Sequence, residues 1–261
     1  MGQTAINNKN PKIGIFIGVR MKSKRLPKKA LLELSGRMLI EHLIDRLKFS
    51  KLKDVIVLCT STLPEDAVLV DVAKKNNIDY FQGNADDKLD RYLNAGRKYK
   101  LDFIIITEGD NVFFEPDIID EVIRIYKRTD ADFVTCKGLP LGTAPHGMKI
   151  DALQKVCEIK AQSDTEVWGP YFTDSGLFKV EYLEATADLR RPDLRMTCDY
   201  PEDFDLFKEI LKNLYKPGKL LHLQDIVSFL DKNLQVVAIN KKAQESYNNH
   251  IKKSPPVKYK S

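Results

Sequence analysis

Short apolar runs alternate with amphipathic helical patterns through the first half of this chain, and that rhythm admits few folds. Residues 13–19, IGIFIGV, read as a strand buried on both faces. A helical stripe follows at Leu39, Leu43, Ile44 and Leu47. Residues 55–59 form the next β-rich run, and 64–75 a helix with Pro64 in its first turn and Glu65 and Asp66 at its positive end. Strands over 78–81, 103–107 and 132–136 then alternate with helices over 87–99 and 116–127. This pattern predicts a Rossmann-like α/β domain: a mostly parallel sheet with helices on both faces.

After Lys137 the rhythm breaks at a Gly/Pro-rich loop over 138–147. Short strands are expected at 148–150 and 176–180, with a return strand at 195–198. A helix over 201–214 takes Asp199 as its expected N-cap, and a helical segment begins near 220. The predicted organisation is a flexible N-terminus over 1–11, one domain over 12–250 with a small insertion at about 138–179, and a disordered Lys/Pro-rich tail over 251–261.

A chain of 261 residues can bury a substantial core. Its net charge of +5 comes from 42 basic and 37 acidic residues that are interspersed, so the charge carries no nucleic-acid footprint. No apolar run approaches a membrane span, and the first eleven residues lack the apolar segment of a signal peptide. Cys59, Cys136, Cys157 and Cys198 form no C-x-x-C pair, which argues against zinc and redox motifs and for reduced thiols. A cytoplasmic location is expected.

Six cations follow the first strand: Arg20, Lys22, Lys24, Arg25, Lys28 and Lys29. Open α/β sheets bind ligands in the crevice beyond the carboxyl ends of their strands. A loop this basic, placed there, calls for a polyanion such as a triphosphate. Arg20 and Arg25 can make forked contacts to phosphate, whereas Lys29 acts as a point charge. A solvated basic loop is the bland alternative. A second candidate element is Thr107-Glu108-Gly109-Asp110, which puts an aspartate at the end of a central strand, where Mg²⁺ and phosphate oxygens can meet it.

The order Arg20, Ser23, Arg25, Leu26-Pro27, Lys29 resembles the R-x-x-S-x-R-L-P-x-K signature of the cytidylyltransferases for acidic sugars. That family includes the 3-deoxy-manno-octulosonate, acylneuraminate and spore-coat polysaccharide enzymes. The likeness continues over roughly 13–239. Asp45-Arg46-Leu47, Cys59-Thr60-Ser61 with Pro64-Glu65-Asp66, and Gly83 with Asp87 to Tyr92 all resemble family segments. The resemblance implies that Val19, Arg20, Ser23, Thr60, Ser61, Gly83, Arg91 and Asp110 border the nucleotide. Thr60 and Ser61 could equally end a strand, and Arg91 could pair with Asp87 one helical turn away. Cys198-Asp199-Tyr200-Pro201-Glu202-Asp203-Phe204 is similar to the family's V-D-T-P-E-D-F, which implies that Asp199 is the second metal ligand beside Asp110.

The expected reaction is Mg²⁺-dependent nucleotidyl transfer: CTP and an acidic sugar, Kdo- or nonulosonate-like, give CMP-sugar and pyrophosphate. Arg20, Arg25 and Lys29 are the expected catalytic cations that neutralise departing pyrophosphate, and a homodimer is expected. Alternatives are transfer to a sugar phosphate or phosphonate, and a nucleotide-binding homologue without turnover. A glycosyltransferase is the rival on the same fold, although Asp110-Asn111 lacks its usual second acid. The departures from the family pattern are the lysines at 22, 24 and 28, Asn111-Val112 after Asp110, and His146 in Pro145-His146-Gly147. Thr165-Glu166 to Tyr171 stands where relatives carry an acceptor and dimer segment. Trp168 there could stack on a sugar, meet a partner or simply pack.

Overall fold

In a computed structural model, the described residues are 10–23, 25–163, 167–251 and 257–260. The chain begins with β1 (Ile13–Gly18), buried at every position. A short hairpin of β2 (Glu33–Leu34) and β3 (Arg37–Met38) leads into α1 (Leu39–Leu47). There follow β4 (Val55–Ser61), α2 (Ala67–Lys75), β5 (Asp79–Gly83), α3 (Lys88–Tyr99) and β6 (Phe103–Glu108). Next come α4 (Pro116–Thr129), β7 (Phe133–Lys137), β8 (His146–Lys149), α5 (Ile150–Ile159), the single turn α6 (Pro170–Thr173) and β9 (Val180–Glu184). The chain closes with α7 (Pro201–Leu214), α8 (Leu223–Lys232), the turn α9 (Leu234–Val237) and α10 (Lys241–Ile251).

Seven strands form one sheet in the order β5-β4-β1-β6-β8-β7-β9. All neighbours are parallel except β8, which runs antiparallel to both β6 and β7. The expected α/β class and mostly parallel sheet are therefore present. Alternation along β1 shows how the layers form. Ile13, Ile15 and Ile17 point into a core shared with α1, α2, α4, α7 and α8, while Phe16 points into a second core under α3, α5 and α6.

Several expectations change. The second short strand lies at Val180–Glu184 rather than 176–180, and it pairs with β7 as the sheet edge. β8 falls inside the segment read as an insertion, yet it is an interior strand between β6 and β7. The Gly/Pro-rich loop reverses the chain there, so this strand enters the sheet antiparallel. Residues 195–198 form no strand; a single bridge joins Leu141 and Arg195. The tail expected to be disordered contributes Tyr259, which bridges to Lys160, and Lys258, whose carbonyl accepts from the Tyr171 hydroxyl at 3.0 Å. The basic Lys24 and the Thr165-Glu166 pair lie outside the described residues.

Candidate active site

Beyond Gly18 the chain enters a loop pinned at both ends. Val19 donates its amide to the Cys59 carbonyl at 3.2 Å, and Met21 donates to Asp66 Oδ1 at 2.6 Å. Ser61 donates its hydroxyl to the other Asp66 oxygen. At the far end Lys28 takes a left-handed conformation, φ 55°, and a 3₁₀ turn over Lys29–Leu31 buries Ala30 in the core. The kink at Lys28 lets Lys29 turn inward while Lys28 stays in solvent.

Lys29 meets two carboxylates. Its ammonium donates to Asp110 Oδ2 and, at 3.0 Å, to Asp199 Oδ1. Arg25 donates to the same Asp199 oxygen at 2.8 Å, with its guanidinium 5.1 Å from the centre of the Tyr200 ring. Burial works against the charged Lys29, but Asp110 and Asp199 outweigh it and raise its pKa above the ordinary lysine range. Burial likewise works against the Asp199 anion, but Lys29 and Arg25 hold its carboxyl below the usual range. The ensemble is charge-dense and partly desolvated, which is where exchanging one partner for another has large effects.

Asp110 and Asp199 are far apart in sequence, and the backbone brings them together. Asp110 follows β6, and its carbonyl accepts from the Cys198 amide at 3.0 Å. The 194–199 segment is braced from behind by Leu141, which exchanges backbone hydrogen bonds with Leu194 and Met196 at 2.9 and 2.7 Å. Gly142 makes this approach possible: at φ +92° an added Cβ would lie 2.7 Å from the Met196 carbonyl oxygen. Asp199 does not cap α7 as expected. The N-cap is Tyr200, and Asp203 reaches back to accept from the Asp199 and Tyr200 amides at 2.9 and 3.0 Å. That arrangement frees the Asp199 carboxylate to face the cleft.

The cleft has a volume of about 510 Å³. Of the residues singled out from the sequence, Val19, Arg20, Ser23, Arg25, Lys29, Arg91, Asp110 and Asp199 line it. Arg20 donates to the Ala85 carbonyl, which ties the loop after β1 to the β5–α3 turn. Thr60, Ser61 and Gly83 lie away from the lining. Thr60 and Ser61 are fully buried at the end of β4, where Ser61 positions Asp66 and so the loop. Gly83 is packed against α3, since an added Cβ would sit 3.1 Å from Arg91 Cγ. Arg91 does not pair with Asp87: it donates to the Asn84 carbonyl, while Asp87 caps α3 and binds Lys160.

Sequence reading missed three charged residues. Lys88 and Glu108 line the cleft together and form an ion pair at 3.1 Å. Burial raises the Glu108 carboxyl pKa, with Lys88 opposing. Arg195 lies behind Asp199, donating to its Oδ2 at 3.2 Å and to both oxygens of Asp203 at 2.8 and 2.9 Å. A signal existed for Lys88 and Glu108, since both adjoin segments already singled out. None existed for Arg195, which stands in an apolar stretch read as a strand.

On the β8 side, Trp168 is a packing residue. It is 7% exposed and meets His146 and Phe133 edge-on at 5.4 and 6.1 Å. His146 Nδ1 lies 2.8 Å from the Thr135 hydroxyl, and burial pushes its pKa down to about 4, so it is neutral at pH 7. Arg46, on the expected family segment of α1, is a buried strut between the Phe114 and Leu221 carbonyls.

A family profile described as cytidylyltransferase matches residues 15–242. An uncharacterised protein of Methanocaldococcus jannaschii is 36% identical over 90% of this chain and 97% of its own length. The spore coat polysaccharide biosynthesis protein SpsF of Bacillus subtilis is 28% identical over 84% of this chain and 93% of its own. Among solved structures, a cytidylyltransferase from Leptospira borgpetersenii superposes with a TM-score of 0.79 at 26% identity, covering 87% of this chain and 97% of that one.

Proposed function

From the premise that this chain belongs to the cytidylyltransferase family, we propose that it transfers CMP from CTP to an acidic sugar of the Kdo or nonulosonate type, releasing pyrophosphate. Nucleotidyl transfer is the activity the family indicates; the base, the acceptor and the metal are the proposal. One observation carries it: Arg25 and Lys29, from the loop after β1, converge with Asp110 and Asp199 at the edge of one cleft.

The residues present fit a divalent cation. Two carboxylates already share one cation, the Lys29 ammonium, and hard oxygen donors suit Mg²⁺. Asp110 and Asp199 would hold it, and when bound it would stabilise phosphate charge and acidify the attacking hydroxyl. Arg20, Arg25 and Lys29 bind the triphosphate and stabilise the negative charge that builds on pyrophosphate as it leaves. Lys29 is exchangeable: were Asp110 and Asp199 to hold a metal, its ammonium would be available to phosphate. Arg195 keeps Asp199 aimed at the cleft through this exchange. The loop anchors at Asp66 and Ala30 hold the cations in place, so that little orienting entropy remains to be lost at reaction.

Lys22 also lines the cleft, and it favours acceptors with a second anionic group, such as a sugar phosphate or phosphonate, as the alternative. A homodimer paired through the β9 edge belongs to the same proposal, since Leu177 and Tyr182 are 59% and 42% exposed beside it. So does a cytoplasmic location; no helix among the described residues is long and apolar enough to cross a membrane.

Incubation with CTP, Mg²⁺ and a panel of acidic sugars, sugar phosphates and phosphonates should release pyrophosphate with an acidic sugar. Release only with a phosphorylated acceptor would replace the acceptor assignment. Nucleotide binding with no release in any combination would leave a homologue without turnover and overturn the proposal.

A further inference from the structure

Glu108 is out of place in a cleft built for a polyanion. It ends β6 directly beside Gly18, which ends β1 in the paired register. The sheet order reverses between these two strands, with β4 on the far side of β1, so Glu108 stands at the crevice where such sheets bind nucleotides. Yet it takes no part in the network of Arg25, Lys29, Asp110 and Asp199. Its Oε1 accepts from Lys88 at 3.1 Å, and the carboxylate lines the cleft with Lys88 and Arg91.

The surroundings hold its second oxygen at the mouth of β1. A Cβ on Gly18 would lie 3.0 Å from Glu108 Oε2 and 1.8 Å from the Tyr92 hydroxyl. Only a bare Cα leaves room for both groups. The Tyr92 hydroxyl is buried and has no hydrogen-bond partner among the described residues.

An ionised carboxylate only accepts hydrogen bonds. Phosphates and an acidic acceptor's carboxylate only accept as well, so the part of a nucleotide or acceptor that hydrogen-bonds to Glu108 must carry O–H or N–H donors. The donor-bearing group nearest the α-phosphate within the nucleotide is the ribose diol, whose 3′-carbon is separated from the phosphorus by one oxygen and two carbons. Asp110, two residues beyond Glu108, marks the α-phosphate position in the proposed reaction. Lys88 also comes from α3, whose N-terminal turn adjoins the Arg20–Ala85 tie on the β5-β4-β1 half of the sheet.

We propose that Glu108, oriented by Lys88, reads the ribose hydroxyls and selects ribonucleotides over 2′-deoxyribonucleotides. This rests on the nucleotidyl-transfer reading, and it adds a specificity-determining residue that the triphosphate clamp does not require. Without Glu108 the clamp binds either nucleotide.

The test compares CTP and dCTP on the full chain with Mg²⁺, by calorimetric binding without acceptor and by kcat/KM with whichever acceptor turns over. The unaltered protein should favour CTP about 10- to 100-fold, the range for a hydrogen bond to a charged group. Glu108→Ala should weaken CTP more than dCTP, which retains the 3′-hydroxyl, so that the ratio falls to within about threefold. The isosteric Glu108→Gln should give an intermediate ratio with an unchanged melting temperature, which separates lost recognition from lost folding. An unchanged CTP/dCTP ratio in Glu108→Ala overturns the inference. So does an equal loss of both nucleotides, or a rise in acceptor KM alone, which would assign Glu108 to the acceptor. If CTP and dCTP bind and discriminate as described but no acceptor turns over, the inference stands and the catalytic proposal fails.

Discussion

Asp199, just before α7, and Asp203, in its first turn, share Arg195 and are held in opposite ways. Asp203 is fully buried and takes both forks of Arg195, the Asn240 side-chain amide at 2.9 Å and two backbone amides. Arg195 is itself sandwiched, 5.7 Å from the Tyr200 ring centre and 4.8 Å from that of Tyr247. These partners of Asp203 all come from the C-terminal part of the chain, between Arg195 and Asn240. Asp199 shares Arg195 on one oxygen, but its other oxygen is held by Arg25 and Lys29 from the loop after β1. The same contrast separates Asp120, fixed by the Ser50 hydroxyl and the Lys51 and Leu52 amides, from Asp110, fixed by Lys29. Carboxylates bound by backbone amides cannot change partners without unfolding. Carboxylates bound by long basic side chains can, and those are the ones facing the cleft.

The largest effect should come from breaking the rigid member. Asp203→Ala leaves the buried Arg195 with only Asp199 to pair with, and about 3–5 kcal/mol of stability should be lost in urea unfolding. An Asp203→Ala protein with native stability and no activity would invert the comparison. Next, Asp110→Asn should lower pyrophosphate release about 10²- to 10³-fold while shifting the melting temperature little, because Lys29 keeps Asp199 as a partner. A collapse in stability there would make Asp110 a structural residue like Asp203.

The smallest effect is the pH response of the exchangeable network. The Asp199 carboxyl is depressed in the folded state despite burial, because Lys29 and Arg25 hold the anion. Its contribution is therefore complete above the ordinary carboxylate pKa of about 4 and is lost as pH falls through the depressed value. The melting-temperature gap between the unaltered protein and Asp199→Asn should be constant from pH 8 to 5 and close below about pH 4. A gap that persists at lower pH would show that Asp199 stabilises by packing rather than by charge.

Much of the fold is legible in the sequence because alternation and helical stripes are local properties. The strands at 13–18, 55–61 and 103–108, and the helices between them, follow from residues a few positions apart. The reading weakened after Lys137 for the same reason. β8 is short, and its place between β6 and β7 is set by its neighbours rather than by its own four residues. The loop cations and Asp110 were legible because each follows directly on a strand that is itself legible, β1 and β6. Arg195 was not, because a lone charge in sequence carries no sign of what it will face; Lys88 and Glu108 adjoined legible segments, but their pairing across the cleft was set by the fold.

The sequence by itself determined the layered α/β plan, the basic loop and an aspartate at a central strand end, since each depends on short-range pattern and residue chemistry, while Asp199 entered the site only through the family resemblance. Only the tertiary structure decided that Asp203 would take the capping role and leave Asp199 to the cleft. It also decided that Lys29 would bridge residues 81 and 170 positions away. Electrostatic partnership depends on distance and burial, and the fold sets both by bringing the ends of β1 and β6 against the turn before α7.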